Sequence, residues 1–394
     1  MNYQFPYITH LDQIRAAIAG ADEFIIAERD WGYVVNYLVN MKDTFPPVET
    51  VNDAIRRECR GLIFDRDGNL ISRPYHKFFN VNERDETQAH LIDLSQPHRI
   101  LEKLDGSMIR PLPIGDAYRL GTKMGITDVA MQAEVWLADH ANYDEFIRLH
   151  LERGQTAIFE WCSRQQKIVV DYPADRLVLT AIRDVNTGAY KSYDQMRTYA
   201  EAYGVDIVRE YAGTVANMEA LLAETHDLTG QEGWIIRFDD GHMLKLKGSE
   251  YVMQHRAKDS IMRENGVIEM LLAEKLDDVK AVLDEDTRRS LEKFEAEFWQ
   301  GVAFAAETWK VLNDSVRARY GADRKAFALA DGMLLVDGKI KSAIFRAWDA
   351  PDFDWRQAVL DTVAKNIGTQ TKVDAVRGLW GGARWTYGSS AGDE

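Results

Sequence analysis

The chain has 394 residues and a formal net charge of −15, from 63 acidic and 48 basic side chains. This balance excludes a protein that coats nucleic acid non-specifically, because such proteins present an extended basic surface. It still permits an enzyme with a local cationic cleft, where the lysines and arginines must then be concentrated. The two cysteines, Cys59 and Cys162, exclude a disulfide framework and a cysteine-type zinc site.

Length and periodicity together predict at least two domains and an α+β fold. Strand and turn signals dominate up to about residue 250, where long helical periodicity begins. We therefore predict antiparallel sheets with flanking helices over residues 1–250, an all-α part over 251–387, and a disordered tail over 388–394. The chain shows no apolar run of membrane-span length and no signal-peptide pattern, so we expect no membrane contact and a cytoplasmic location.

In the first eighty residues, two cations stand at the edges of apolar segments. Arg60 precedes one predicted strand and Lys77 follows the next. Single cations in such places are usually surface charges, but a pair bracketing a hairpin could grip the β- and γ-phosphates of a nucleotide. The elements predicted over this part are a helix at 11–18 and strands at 23–27, 33–39, 62–64 and 70–72.

The stretch around which these elements are organised is Glu102-Lys103-Leu104-Asp105-Gly106-Ser107, a predicted turn between two strands. A lysine at a strand end, in a cleft that holds other cations, can lose its proton and act as a nucleophile. Asp105 and Gly106 shape the turn, and Gly106 lets the backbone approach a ligand closely. Taken alone, this motif is equally compatible with a solvated hairpin.

After this turn, a predicted hairpin ends on Lys123, on the side where Lys103 would emerge. A later apolar strand carries Glu160 at its centre. Burying a lone glutamate is costly, so Glu160 implies a partner such as a ligand hydroxyl, a metal ion or a cation. The elements predicted over this part are strands at 110–113, 118–123, 156–162, 167–170 and 177–182, and helices at 127–153, 193–203 and 215–224.

Glu232 stands at the mouth of another apolar strand, and the next strand presents Lys245 and Lys247 in alternation with leucines. Because side chains alternate between the two faces of a strand, both ammonium groups lie on one face. An exposed strand face is the ordinary explanation of such alternation. Beyond the strands, helices are predicted at 267–283, 286–320, 324–330, 339–347 and 355–366, the second with an apolar stripe that favours a core position.

Six segments in a fixed order resemble the covalent nucleotidyltransferase superfamily of ATP-dependent ligases and RNA capping enzymes, and in particular the T-even phage RNA ligase 1 family. The turn at Lys103 resembles the family's nucleotide-attachment motif. The resemblance covers most of residues 30–260 and implies an ATP-grasp-like nucleotidyltransferase domain followed by an all-α domain for RNA or tRNA specificity. The other matching segments are Glu58-Cys59-Arg60-Gly61, residues 73–80, Phe159-Glu160 with Ile168-Val169-Val170, Glu232-Gly233 and Lys245-Leu246-Lys247.

The resemblance also implies a role for each residue of the predicted site. Lys103 would attack ATP and carry AMP as a phosphoramidate. Arg60 and Lys77 would contact the ATP phosphates. Glu160 would bind ribose, and Glu232 would bind a catalytic metal ion. At the α-phosphate, the implied residues are Lys245, Lys247 and Lys123, and Glu102 and Gly106 would also contact the nucleotide. The implied functional aromatics are Tyr37, Phe79 and Tyr251, and an aliphatic platform for the base would come from Leu177-Val178-Leu179 and Ile182. Further metal ligands would be Glu160, Asp277 and Asp278, although the two aspartates otherwise belong to a solvated helix face.

The reaction implied by the resemblance is ATP-dependent RNA ligation with Mg²⁺ or Mn²⁺. The enzyme would join a 5′-phosphate to a 3′-hydroxyl through lysyl-AMP and RNA-adenylate. The implied partner is RNA, including a nicked tRNA anticodon loop. The protein would be a monomer and would act in the cytoplasm, which is the host cytoplasm if the protein is phage-encoded. Basic clusters in the helical part would supply phosphate contacts or are solvated helix ends: Arg317 with Arg319, Arg324 with Lys325, and Lys339 with Lys341.

Three alternatives stay open. A DNA ligase or an mRNA capping guanylyltransferase would add a five-stranded barrel where helices are predicted here. A non-catalytic RNA-binding protein would not need Lys103, Glu160 and Glu232 together. A kinase-like ATPase is disfavoured because the chain has no Gly-rich phosphate loop with its trailing lysine.

Overall fold

A computed structural model describes residues 4–41, 43–165, 167–213, 215, 217–329, 338–350 and 352–387. The backbone separates into two compact units, Met1–Val252 and Met253–Glu394. The first contains sheets and helices, and the described part of the second is helical. The predicted α+β class is confirmed. The predicted disordered tail, 388–394, lies outside the described residues.

The strands of the described chain form three four-stranded sheets, with the orders β1-β2-β3-β4, β10-β9-β7-β8 and β5-β12-β11-β6. Neighbours pair antiparallel except β12 with β5, which are parallel. The strand bounds are β1 Phe24–Arg29, β2 Gly32–Tyr37, β3 Leu62–Phe64, β4 Leu70–Ser72, β5 Phe79–Asn80, β6 His98–Lys103, β7 Ser107–Ile114, β8 Ala117–Gly121, β9 Gln155–Cys162, β10 Arg176–Asp184, β11 Gly233–Phe238 and β12 Met243–Lys247.

The predicted turn at Lys103 is confirmed, and it passes the chain from one sheet to another. β6 belongs to the third sheet and β7 to the second, so Lys103 lies at the seam between them. Gly233 pairs with Lys103 on one side and with Lys247 on the other. In the second sheet, Met108 pairs with Glu160. Strand register therefore brings groups far apart in sequence to one place.

In the first unit, helices pack against one face of the second sheet. Ile109, Phe159 and Leu179 from the second sheet are fully buried against helical residues such as Phe146 and Met196. The helix at 193–203 has the predicted bounds and ends at Gly204, whose φ of 63° is the left-handed conformation that glycine adopts readily. The helices of this unit are α1 Leu11–Ala17, α2 Val51–Glu58, α3 Asp128–Leu137, α4 Ala141–Glu152, α5 Tyr193–Tyr203 and α6 Met218–His226.

The second unit is built around one long helix, α10. Its predicted apolar stripe, which includes Leu291, Phe298 and Trp309, is buried in the core of the unit. The predicted helix 267–283 is wrong, because Glu274 takes a φ of 55° and divides it into two helices. The helices that follow β12 are α7 Ser249–Ile261, α8 Glu264–Leu272, α9 Leu276–Lys280, α10 Glu285–Tyr320, α11 Arg324–Leu329, α12 Gly338–Ala347, α13 Trp355–Ala364 and α14 Gln370–Val376.

Among the described residues, no helix is both long enough and apolar enough to cross a bilayer.

Candidate active site

A cleft of about 380 Å³ opens at the seam between the second and third sheets. Its walls come from β6, β7, β9, β11 and β12, with the segment before β5. Most of the predicted site therefore converges, although Tyr37, Phe79, Lys123, Glu232 and Tyr251 are not among the residues that line the cleft. The predicted residues that line it are Arg60, Lys77, Glu102, Lys103, Gly106, Glu160, Lys245 and Lys247.

Lys103 and Lys247 share one carboxylate. Lys103 Nζ lies 2.5 Å from Glu232 Oε2, and Lys247 Nζ lies 3.0 Å from Glu232 Oε1. Glu232 is 3% exposed, so this double ion pair is what compensates the burial of its charge. A metal ion at Glu232 would have to displace at least one of the two ammonium groups. The pairing instead holds the Lys103 side chain at the mouth of the cleft.

Asp105 organises the turn by accepting hydrogen bonds from distant segments. Its Oδ1 accepts from Tyr251 Oη at 2.8 Å, and its Oδ2 accepts from the backbone N–H groups of Val169 at 2.7 Å and Val170 at 2.8 Å. The predicted strand at 167–170 is therefore wrong. These residues form bends whose N–H groups bind a carboxylate instead of a neighbouring strand. Tyr251 thus supports the turn through Asp105, and its ring centroid also lies 5.2 Å from Lys247 Nζ.

Glu160 has the environment that its sequence position predicts. Its carboxylate forms no ion pair or hydrogen bond with any other described residue. Burial raises its pKa to about 8, with the charges of Glu232 and Asp105 adding to the effect and those of Lys103 and Arg60 opposing it. A carboxyl group that is protonated at neutral pH and faces a cleft is suited to a ligand hydroxyl or a metal ion.

Replacing this residue in the variant Glu160→Gln is expected to stabilise the ligand-free protein at alkaline pH. Because the folded pKa of about 8 exceeds the unfolded value of 4.5, the stability linked to this group is complete below pH 4.5 and is lost as pH rises through 8. The advantage of the variant should grow from near zero at pH 4.5 to about 1–3 kcal/mol at pH 8.5. Urea unfolding at the two pH values measures it. If the free energies of unfolding of the two proteins differ by the same amount at both pH values, the raised pKa of Glu160 is contradicted.

Lys77 stands in an aromatic box. Its Nζ lies 5.1 Å from the ring centroid of Tyr37, 5.4 Å from that of Phe45 and 5.2 Å from that of Phe79. Burial lowers the pKa of Lys77 to about 8, with the neighbouring cations contributing to the shift and Glu83 opposing it. The predicted aromatics Tyr37 and Phe79 therefore hold Lys77, and Phe45 is a third ring that the sequence did not single out.

Four of the predicted cations around the cleft have no acidic partner in the described chain, and the same holds for Arg237. Arg60, Lys77, Lys123 and Lys245 all lack an ion pair there, whereas Lys103 and Lys247 share Glu232. Lys245 Nζ lies 4.5 Å from the ring centroid of Phe78, and burial together with three nearby cations lowers its pKa well below the ordinary value. In a protein of net charge −15, this local excess of positive charge favours a polyanion.

Two predicted residues of the turn make contacts within the protein. The Glu102 carboxylate pairs with Arg209 through contacts of 2.8 and 3.0 Å. A Cβ atom on Gly106 would lie 2.3 Å from the Trp161 carbonyl oxygen, so the neighbouring strand already requires glycine here. Both residues also line the cleft, and their contact with a nucleotide stays a prediction.

Asp277 and Asp278 lie on α9 in the second unit, where both are exposed, and Asp277 pairs with Lys280 at 3.0 Å. Their role as metal ligands stays a prediction. Over the ranges that the structure describes, no group of three or more histidine, cysteine or acidic side chains is placed to hold a metal ion. A metal here would need ligands from a substrate as well, which is how Mg²⁺ is usually bound.

None of the four residues predicted as an aliphatic platform for the base lines the cleft, and Val178 alone packs with the cleft residues Leu101 and Leu104. Leu177, Leu179 and Ile182 are buried under the helices, on the far side of the sheet from the cleft. The residue of this strand that lines the cleft is Thr180, which lies at a register shift between Leu179 and Ala181. The cleft residues that the prediction missed include Tyr75, Phe78, Thr180, Val208 and Arg237.

Two signals could have found some of these residues. Tyr75 and Phe78 flank Lys77 in a segment that had already been singled out. Arg237 shares a strand face with Ile235 and Gly233, because alternate residues of β11 point the same way. Thr180 and Val208 carry no comparable pattern.

Beneath the cleft, one buried carboxylate holds two buried guanidinium groups. Glu58 contacts Arg183 at 2.7 and 2.8 Å and Arg73 at 3.0 and 3.2 Å, and all three side chains are fully buried. Burial by itself raises the Glu58 pKa, but the two arginines outweigh it and lower the pKa to about 2. This triad joins the end of α2 to β10 and to the segment that leads to Lys77.

A strand-end lysine held by a carboxylate, beside a second carboxylate and four unpaired cations, is suited to covalent transfer of a nucleotide phosphate. A family model described as RNA ligase, of the T4 RNA ligase 1 type, matches residues 58–258, just over half of the chain. The chain belongs to this RNA ligase family. The family resemblance predicted from the motifs is confirmed.

Two curated relatives agree with this membership. A protein of Thermovibrio ammonificans named "Putative RNA ligase" is 29% identical over 257 residues, which are 63% of this chain and 66% of the relative. RNA ligase 1 of bacteriophage TS2126 is 26% identical over 238 residues, 58% of each chain. The matched segments thus span less than two thirds of either relative.

Solved structures resemble the chain more distantly. An archaeal ATP-dependent RNA ligase has a TM-score of 0.42 and 14% identity, covering 73% of this chain and 75% of its own. Naegleria gruberi RNA ligase with PPi has a TM-score of 0.35 and 18% identity, covering 41% and 52%. Likeness at this level supports no argument about function.

Proposed function

We propose that this protein is an ATP-dependent RNA ligase, which joins a 5′-phosphate and a 3′-hydroxyl through enzyme-lysyl-AMP and RNA-adenylate. The observation that carries the proposal is the position of Lys103 in a cleft lined by Arg60, Lys77 and Lys245, with Lys123 at the same Tyr37 ring as Lys77, and none of these four cations has an acidic partner in the described chain. A triphosphate supplies the charge that these groups lack. Family membership supports the same reaction.

In the first step, Lys103 Nζ, after losing a proton to solvent, forms a bond to the α-phosphorus of ATP. The bond to the bridging oxygen breaks, and pyrophosphate leaves with the electron pair. Glu232 orients Nζ beforehand, and Lys247 is the second group that it holds. Lys245, on the same strand face as Lys247, is placed to offset charge on the α-phosphate.

In the second step, an oxygen of the RNA 5′-phosphate attacks the AMP phosphorus and Lys103 departs. In the third, the 3′-hydroxyl attacks the 5′-phosphorus and AMP departs. A bound Mg²⁺ or Mn²⁺ ion would neutralise phosphate charge in these steps. The unpartnered carboxyl group of Glu160 fits such an ion or a ribose hydroxyl, with phosphate oxygens completing the coordination.

The proposed RNA substrate depends on a surface of the second unit. In the second unit, Arg324, Lys325 and Arg346 line a shallow concavity with Phe345 and Asp349. Arg324 pairs with Asp349 at 3.1 Å and Arg346 with Asp361 at 3.4 Å, so phosphate contact through either arginine would compete with a carboxylate. Phosphate contacts and base stacking use these groups. We include a nicked tRNA anticodon loop as the substrate, a monomeric state and a cytoplasmic location in the proposal. Beyond β12 the described chain is helical, which disfavours the barrel of a DNA ligase or capping enzyme.

One experiment with two stages tests the proposal. The full chain is incubated with labelled ATP, GTP or NAD and Mg²⁺, and protein-bound label is read on a denaturing gel. ATP alone should label the protein, and label from GTP or NAD would favour another nucleotidyltransferase. Nicked anticodon stem-loop and unstructured RNA are then added, and faster sealing of the stem-loop is expected. Equal sealing rates for the two RNAs would contradict the proposed tRNA substrate. Light scattering of the protein in solution tests the proposed monomeric state.

A further inference from the structure

Arg110 is a buried cation without a buried anion. It lies on β7 with 0% exposure, and no described carboxylate pairs with it. Its guanidinium donates from Nε to Ser72 Oγ at 3.1 Å, from Nη1 to the Thr122 carbonyl oxygen at 2.9 Å, and from Nη2 to the Gly61 carbonyl oxygen. Burial and the charge of Arg60 lower its pKa to about 9.

This arrangement is unusual because buried charges are normally paired with opposite charges. An apolar side chain of similar size would avoid the desolvation cost at this position. Two of the three acceptors are backbone carbonyls, and they belong to segments far apart in sequence. One immediately follows Arg60 and the other immediately precedes Lys123.

The two segments also touch through their backbones. Gly61 has a φ of 96°, and a Cβ atom there would lie 2.7 Å from the Lys123 carbonyl oxygen. The contact therefore requires glycine. Arg60 additionally reaches back to β7, where its Nη1 lies 3.6 Å from Met108 Sδ, two residues before Arg110. Arg110 thus clamps together the backbones that carry two of the unpaired cations.

We propose that Arg110 is a positioning residue that fixes Arg60 and Lys123 as one grip for the pyrophosphate part of ATP. The inference rests on the proposed function, since it assigns this pair to the leaving group. Arg110 itself is too deeply buried to touch the nucleotide. Its fixed positive charge lies behind the pair and is compensated when the polyphosphate binds. The clamp matters only in steps where pyrophosphate is present.

The test compares Arg110→Met with the wild type in three measurements on the same preparations. The KM for ATP in lysyl-AMP formation and the Kd for pyrophosphate should each rise about 10–100-fold, as expected when charged hydrogen bonds that set a binding group are lost. Sealing of pre-adenylylated RNA, which needs no pyrophosphate, should stay within about twofold. Equal loss of sealing and adenylylation would show a general structural role and overturn the proposal, as would unchanged values for ATP and pyrophosphate.

Matched variants separate geometry from charge. Arg110→Lys keeps the charge but cannot reach three acceptors, so it should remain impaired for ATP, and wild-type behaviour would overturn the clamp. Arg119→Met removes an exposed arginine of the same hairpin, paired with Glu134, and should change nothing. If Arg110→Met does not fold, Gly61→Ala, which forces the two backbones apart, must show the same selective loss.

The outcome for the clamp is separable from that for the proposed function. Calorimetric binding of pyrophosphate needs no catalysis. If the wild type forms no lysyl-AMP but Arg110→Met still weakens pyrophosphate binding, the ligase assignment fails and the clamp stands. If lysyl-AMP forms normally in both proteins with equal KM for ATP, the clamp fails and the ligase assignment stands.

Discussion

Replacing Lys103 by alanine or by arginine is expected to abolish the protein-bound AMP adduct, a loss on the order of 10³-fold or more. Alanine removes the nucleophile and the ion pair with Glu232 together. Arginine retains a cation that can pair with Glu232, but its guanidinium stays protonated and cannot attack phosphorus. If the function of Lys103 is nucleophilic, both variants must fail alike. The adduct is measured with labelled ATP on a denaturing gel.

The two variants should differ in the last step of the reaction. Sealing of pre-adenylylated RNA needs no lysyl-AMP, so Lys103→Arg, which keeps the positive charge, should seal better than Lys103→Ala. Lys310→Ala, at an exposed position of α10, is the matched control and should label normally. A stable adduct on Lys103→Ala would place the nucleotide on another residue and contradict the assignment.

Replacing Glu58 by glutamine is expected to destabilise the first unit by about 3–5 kcal/mol, because the two buried guanidinium groups lose the only negative charge of the triad. Removing one member of a buried ion cluster lowers stability by more than the net stability that the whole cluster provides, because the remaining charges stay desolvated and lose their partner. The expected fall in Tm is about 6–20 °C for a unit of this size. Calorimetry or urea unfolding of the full chain measures it.

The pH dependence supplies a second readout for Glu58. Its folded pKa of about 2 lies below the unfolded value of 4.5, so its contribution is present above pH 4.5 and is lost as pH falls toward 2. The difference in free energy of unfolding between wild type and Glu58→Gln should therefore decrease below pH 4.5. Glu28→Gln, which removes an exposed partner of Arg66, should change stability by less than about 0.5 kcal/mol. A similar effect of both substitutions would contradict the buried-triad account.

Local patterns determined much of the secondary structure. The bounds of β3, β4 and α5 agree with the predicted ranges, which follow from short apolar runs, turn residues and the capping Gly204. Those signals lie within a few residues of the element that they define, so they can be read without the fold. The predicted helix 267–283 was wrong because Glu274 adopts a left-handed conformation that no residue type there announces.

The sequence by itself also determined the chemistry: a strand-end lysine, two carboxylates in apolar strands, and cations at strand edges in the order of one family. Only the tertiary structure decided how these groups are used. Strand register placed Lys103 and Lys247 on Glu232, and the turn at Asp105 captured the N–H groups of residues 169 and 170. The fold also left Arg60, Lys77, Lys123 and Lys245 unpaired and buried Arg110 behind two of them. Such pairings join residues distant in sequence through sheet register and packing, and no local periodicity records them.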